Sequence, residues 1–243
     1  MLDFYTVQYN RCRPWDVIEV SPNQKITPGS AATISKALAC SQLEIPVGDW
    51  IDDTLKKSVV TPSCKKILKK NIEDEIKHDA ALNNLRKVFE VKSEDDVIVA
   101  QFLERAKELA ERVSPIVMAG TLESSLFFVI LPMFRFLGGS GFRTVANDIS
   151  NDENIHVAVN VNLAKDLGYR RNAIVNSFRK EIVNWIVSDL DKENENKYLS
   201  ADFWRKSSDN LYHSGKAPQL RETRRAVMPS FFEKDNRDLP SYG

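Results

Sequence analysis

Histidine is scarce in this chain, with three residues in 243. Two of the three sit in the same short motif, Glu75-Ile76-Lys77-His78 and Glu153-Asn154-Ile155-His156. On a helix, positions i and i+3 share a face, so each motif presents a carboxylate and an imidazole in one direction. That mixture of oxygen and nitrogen donors suits iron and manganese. A single Glu-x-x-His arises readily by chance and is usually a solvated surface pair. Two copies that use two of three histidines point to a shared metal centre.

Two more acids repeat the spacing. Glu44 precedes Glu75 by 31 residues, and Glu123 precedes Glu153 by 30. The pattern Glu…Glu-x-x-His is therefore written twice. That is the ligand set of di-iron and di-manganese carboxylate bundles, with one Glu from each of two helices and Glu-x-x-His from each of the other two. Glu123 lies in the stretch GTLESSLFFVILPMF, where a carboxylate is costly to bury unless it is paired or metal-bound. At the first position the choice stays open, because Asp49, Asp52 and Asp53 follow Glu44 closely and each is an alternative ligand.

The run from Gly120 to His156, GTLESSLFFVILPMFRFLGGSGFRTVANDISNDENIH, resembles two helices of the small subunit of class I ribonucleotide reductase, a member of the ferritin-like superfamily. Leu122-Glu123 and Phe127 match the Leu-Glu pair that precedes an aromatic-rich helix in that family. Ile149, Asp152, Glu153 and His156 match its Ile-x-x-Asp-Glu-x-x-His run. The resemblance implies metal-ligand roles for Glu123, Glu153 and His156. It implies that Asp152 orients a ligand histidine through a hydrogen bond, and that Phe127, Leu131 and Ile149 form an apolar wall beside an oxygen site. Its cofactor would be two iron ions, or manganese with iron.

The resemblance covers about half of the chain, and the chain departs from it in two ways. It is much shorter than members of that family. Leu82 stands one turn beyond His78, where the family carries its radical tyrosine, which excludes a stable tyrosyl radical at that position. Small oxygenases of the same superfamily, such as aldehyde-deformylating oxygenase, share both the ligand pattern and the short length. The leading expectation is thus a dioxygen-activating oxidase or oxygenase. The alternative is a divergent reductase small subunit that passes an oxidising equivalent through Asp152 and Trp15 or Trp50 to a large catalytic subunit, docked by a tail ending Leu239-Pro240-Ser241-Tyr242-Gly243. A non-enzymatic iron-binding or storage bundle is the third reading. An electron donor and a homodimer are expected partners.

Such a centre needs long helices, and the sequence supplies them. Ser30 opens a pattern with Ile34, Leu38 and Leu43 near one face, which Pro46 and Gly48 should kink or end. Thr61-Pro62 begins a helix to about Phe89, with Ile67, Ile72, Ile76, Leu82 and Leu85 expected inward. Ser93 with Glu94, Asp95 and Asp96 starts the next. A straight helix from there to Gly138 would span roughly 68 Å, so Pro115 should divide it. Helices over 141–167, 172–190 and 201–212 follow. The expected organisation is all-α: an irregular segment 1–29, a ferritin-like four-helix bundle with additional helices over 30–190, and a helix and extended tail over 191–243.

Composition agrees with one such domain. Hydrophobic residues make up 42%, and Lys+Arg and Asp+Glu both number 34. Nucleic-acid binders usually carry a basic surplus, so no nucleic-acid partner is expected. Cys12, Cys40 and Cys64 are too few and scattered for a disulfide framework. The N-terminal residues lack a signal-peptide pattern, and no run of membrane-span length is read. A cytoplasmic location and no membrane association are the expectations.

Overall fold

The computed structural model describes residues 2–220, and these residues are built almost entirely from helices. In chain order they are α1 (Phe4–Tyr9), α2 (Ala31–Ala39), α3 (Ile45–Lys57), α4 (Pro62–Val88), α5 (Ser93–Arg112), α6 (Pro115–Leu122), α7 (Phe128–Leu137), α8 (Ser140–Asp166), α9 (Ala173–Ile186) and α10 (Ala201–Ser214). A tight 3₁₀ turn, Cys40–Glu44, joins α2 to α3, and a π-helical turn, Glu123–Phe127, joins α6 to α7. Among the described residues no strand forms; a single bridge pairs Asp191 with Ser200.

Local chemistry sets the helix ends. Thr61 caps α4 by accepting the Cys64 N–H at 3.2 Å, with Pro62 pre-set for the first turn. Asn172 caps α9 and Ser200 caps α10 in the same manner. Gly215 closes α10 at φ 65°, a left-handed conformation that glycine adopts without steric penalty. Pro115 divides α5 from α6, as expected. Pro46 falls in the first turn of α3, so the chain from α2 bends through the 3₁₀ turn and continues instead of stopping.

The helices pack as one bundle. α4 lies against α3 and α8, and α6 lies against α3 and α8, so these four close a ring. α9 and α10 cover the α6–α7 side, with α10 touching the π turn. The side chains between the helices form one continuous apolar core, including Ile34, Leu38, Leu43, Ile67, Leu85, Leu122, Phe134 and Ile149.

Three sequence expectations need correction. Residues 1–29 are not wholly irregular: Phe4–Tyr9 form α1, which packs on α4 and α8. Ile76 is 71% exposed rather than inward. The buried face of α4 instead carries Asn71, Asp74, Glu75 and His78 between its apolar residues, and hydrophobic periodicity alone misplaces such a polar stripe. Finally, Pro115–Leu137 forms a continuous helical stretch of 23 residues, long and apolar enough to cross a membrane. Neighbouring helices bury 83% of its most apolar window, which is the position of a core helix. The expected tail, including its docking end at Leu239–Gly243, lies outside the described residues apart from its start.

Candidate metal centre

The two Glu-x-x-His motifs lie on α4 and α8, which pack directly against each other. Each motif turns its carboxylate and imidazole to the interior, and ligand atoms of Glu75, His78, Glu153 and His156 all fall within 4.8 Å of one another. All four side chains are buried. This group can hold a metal ion.

Both imidazoles point Nδ1 inward. His78 Nδ1 lies 3.3 Å from Glu153 Oε1 and 3.6 Å from Glu75 Oε2. His156 Nδ1 lies 3.0 Å from Glu75 Oε1 and 3.4 Å from Glu153 Oε1. Glu75 and Glu153 each face both histidines. Glu44, at the end of the 3₁₀ turn, adds Oε1 at 3.3 Å from His78 Nδ1. Asp49 is exposed, and Asp52 and Asp53 pair with Lys56 and Lys57, so the fold brings Glu44 and none of its acidic neighbours to the cluster.

Glu123 opens the π turn and is fully buried. Asn160, one turn beyond His156 on α8, donates to its Oε2 at 2.6 Å. Phe127, Leu131 and Ile149 are buried in the adjoining core. Phe128 lines a cleft of about 160 Å³ near α10 with Ser124, Pro132 and Leu211.

The histidines' outer nitrogens meet a reciprocal pair of acids. His78 Nε2 is 3.3 Å from Asp152 Oδ2, and His156 Nε2 is 3.6 Å from Asp74 Oδ2. Each motif therefore supplies the acid that faces the other motif's histidine. The signal for Asp74 was present, since the sequence reads Asp-Glu-x-x-His twice, but only Asp152 was singled out. Beyond the acids the arms differ. Asp152 Oδ2 accepts the Trp15 indole N–H at 2.6 Å, whereas Asp74 pairs with Lys70. Trp15 also stacks near His78, with centroids 6.2 Å apart. Trp50 is a buried core residue of α3.

Many atoms of the cluster lack hydrogen bonds, and His156 Nε2, 3.6 Å from Asp74 Oδ2, is one of them. They include Glu44 Oε1, Glu123 Oε1, both carboxylate oxygens of Glu75 and Glu153, and Nδ1 of both histidines. Buried polar atoms are almost always satisfied, so a set of orphans on six buried side chains, four of them within 4.8 Å of one another, fits a metal-ligand shell. The electrostatics agree. Burial pushes Glu44 up to about 7 against the opposing pull of His78, and burial with the nearby Glu153 raises Glu123 well above the carboxylate range. Glu75 is driven up by burial, but its contacts with His156 and His78 outweigh this and hold it at about 2. Both histidines are pushed down by burial yet held well above their ordinary value by the surrounding acids. Protons thus do for the bare cluster what cations do in a metal centre: they hold four carboxylates together.

Comparison with known proteins gives no match to any family model, curated protein or solved structure.

Proposed function

We propose that the ring of α3, α4, α6 and α8 is a ferritin-like four-helix bundle whose six interior ligands, Glu44, Glu75, His78, Glu123, Glu153 and His156, hold two ions, both iron or one manganese and one iron, for dioxygen chemistry as an oxidase or oxygenase. The observation that carries this reading is the set of orphaned donor atoms on those six buried side chains. Ions bound there would supply the electrons that reduce dioxygen.

The chain's own residues have separable tasks in this reading. Asp152 holds the His78 ring with Nδ1 inward and Asp74 faces the outer nitrogen of His156; a carboxylate partner also raises the basicity of the ligand nitrogen. Asn160 fixes one oxygen of Glu123 and leaves the other without a hydrogen-bond partner, free to meet an ion. Phe127, Leu131 and Ile149 exclude water, which strengthens every electrostatic interaction inside. The chain would act in the cytoplasm, where thiols such as Cys12, Cys40 and Cys64 stay reduced.

Anaerobic titration with Fe(II), followed by measured dioxygen uptake, tests the proposal. Two Fe(II) per chain and uptake that depends on them are expected. Less than one equivalent bound would overturn it.

One observation favours a second reading, a divergent ribonucleotide reductase small subunit. The Trp15–Asp152–His78 chain connects the cluster toward the protein surface through a side chain that can lose an electron. Leu82 in place of a radical tyrosine would make Trp15 the outlet. Copurification of a large catalytic subunit supports this reading, and turnover of a small organic substrate by the isolated chain opposes it.

A further inference from the structure

The π turn Glu123–Phe127 inserts one extra residue into an otherwise α-helical stretch. Such turns are less stable than α-helix and persist where something outside them compensates. Phe128 N–H reaches back to Glu123 O, five residues earlier. Relaxation to α-helical register would rotate the segments on either side by about 100° relative to each other. The direction of the Glu123 carboxylate relative to α7 therefore depends on this turn.

The compensation comes from helices that carry no ligand of the cluster. Ser208 on α10 donates its hydroxyl to the Ser125 carbonyl at 2.5 Å, inside the turn. The same Ser208 oxygen accepts from Arg179 Nη1 at 2.5 Å. Arg179, on α9, is 1% exposed. Its Nη2 donates to Asn176 Oδ1 and Asp209 Oδ1, both at 2.6 Å, and the guanidinium lies 5.2 Å from the Tyr212 ring centroid. Within the turn, Ser125 Oγ donates to Thr121 O at 2.6 Å. Burying a guanidinium to pack two helices is unfavourable, since an apolar residue does that without desolvating a charge. Here the buried Arg179 holds Ser208, and Ser208 in turn donates to the Ser125 carbonyl inside the π turn.

We propose that Arg179 and Ser208 are positioning residues: they clamp the π turn from outside the ring and hold Glu123 in the direction needed to ligate the ion on the His156 side. The clamp rests on the di-metal reading. It gives α9 and α10 a role in the centre although neither contributes a ligand.

Anaerobic Co(II) titration, read by its visible absorption, tests this on the full chain. The variants are Ser208→Ala, Ser207→Ala and Asp209→Asn. Ser207 is the control: it is also buried on α10, but its hydroxyl donates to Phe203 O within its own helix. Wild type should take up two equivalents. Ser208→Ala should bind the first unchanged and the second about tenfold or more weakly. Ser207→Ala should titrate as wild type. Asp209→Asn, at the half-exposed end of the network, should weaken the second equivalent less than Ser208→Ala does. A wild-type titration of Ser208→Ala, or equal losses in Ser207→Ala and Ser208→Ala, overturns the clamp and leaves the metal centre standing. If Ser208→Ala fails to fold, a wild-type titration of Asp209→Asn overturns it. Absence of Co(II) uptake by wild type overturns the di-metal reading and the clamp with it.

Discussion

The indole N–H of Trp15 meets the Asp152 carboxylate at 2.6 Å across 137 residues of sequence. The same oxygen lies 3.3 Å from His78 Nε2. A segment outside the helical ring is thereby wired to a candidate ligand. Replacing Trp15 with Phe removes the N–H donor and the easily oxidised ring while keeping an aromatic of similar shape. Fe(II) stoichiometry should stay at the wild-type value, and dioxygen uptake sustained by an external reductant should slow by about tenfold or more. Unchanged uptake in steady-state oxygraph measurements would show that electrons do not use this path.

Asp74→Asn and Asp152→Asn each keep the shape of the acid and remove its charge. Each should lower metal affinity about 10- to 100-fold, as expected for partners that orient ligand histidines. Competition with a chromophoric chelator reads the loss. Wild-type affinity in both variants would mean that the reciprocal contacts are incidental.

His78→Ala and His156→Ala each remove one inward Nδ1 and leave the carboxylates crowded. Fe(II) titrations should lose stoichiometry in each variant. Full wild-type binding in both would place the metal site elsewhere.

Glu123 distinguishes a ligand from a structural residue. Burial and the nearby Glu153 raise its carboxyl well above the carboxylate range, which favours the neutral form, so the isosteric neutral change Glu123→Gln should leave the melting temperature of the metal-free protein nearly unchanged. A ligand that binds only the folded state raises that temperature, and the variant should lose much of the metal-induced rise. A large drop in metal-free stability with the rise intact would mark Glu123 as a packing residue.

The metal-free protein should become less stable as pH rises. Glu44 titrates near 7 when folded against an ordinary value of 4.5. The stability this raised value contributes is full below 4.5 and is lost as pH climbs through 7. The raised histidines act in the same direction, above their ordinary value of 6.5. Glu75, held near 2, acts oppositely but only below 4.5. Thermal melts of metal-free protein should therefore fall from pH 4.5 to above 7. Metal affinity should rise over the same range, because binding displaces those protons. A metal-free melting temperature that increases across this window would contradict the buried, protonated cluster.

The sequence by itself determined what is local. The i, i+3 geometry of a helix places Glu75 with His78 and Glu153 with His156 wherever those helices lie, so both pairs were legible before any packing was known. Caps and breakers such as Thr61 and Pro115 set helix boundaries for the same reason. Asp74 was equally legible, one residue before Glu75, yet a lone Asp on a helix with many charges gives no sign of facing inward until its partner His156 is seen across the bundle. What tertiary structure alone decided is everything that depends on two segments meeting. The packing of the 3₁₀ turn brings Glu44, and not Asp49, Asp52 or Asp53, to His78. The path of residues 10–20 brings Trp15, and not Trp50, to Asp152. The π turn that begins at Glu123, and the Arg179–Ser208 pair bonded to it, lie 50 or more residues apart in the chain. Short-range patterns follow from fixed backbone geometry, whereas these meetings follow from how whole helices pack, which no local spacing encodes.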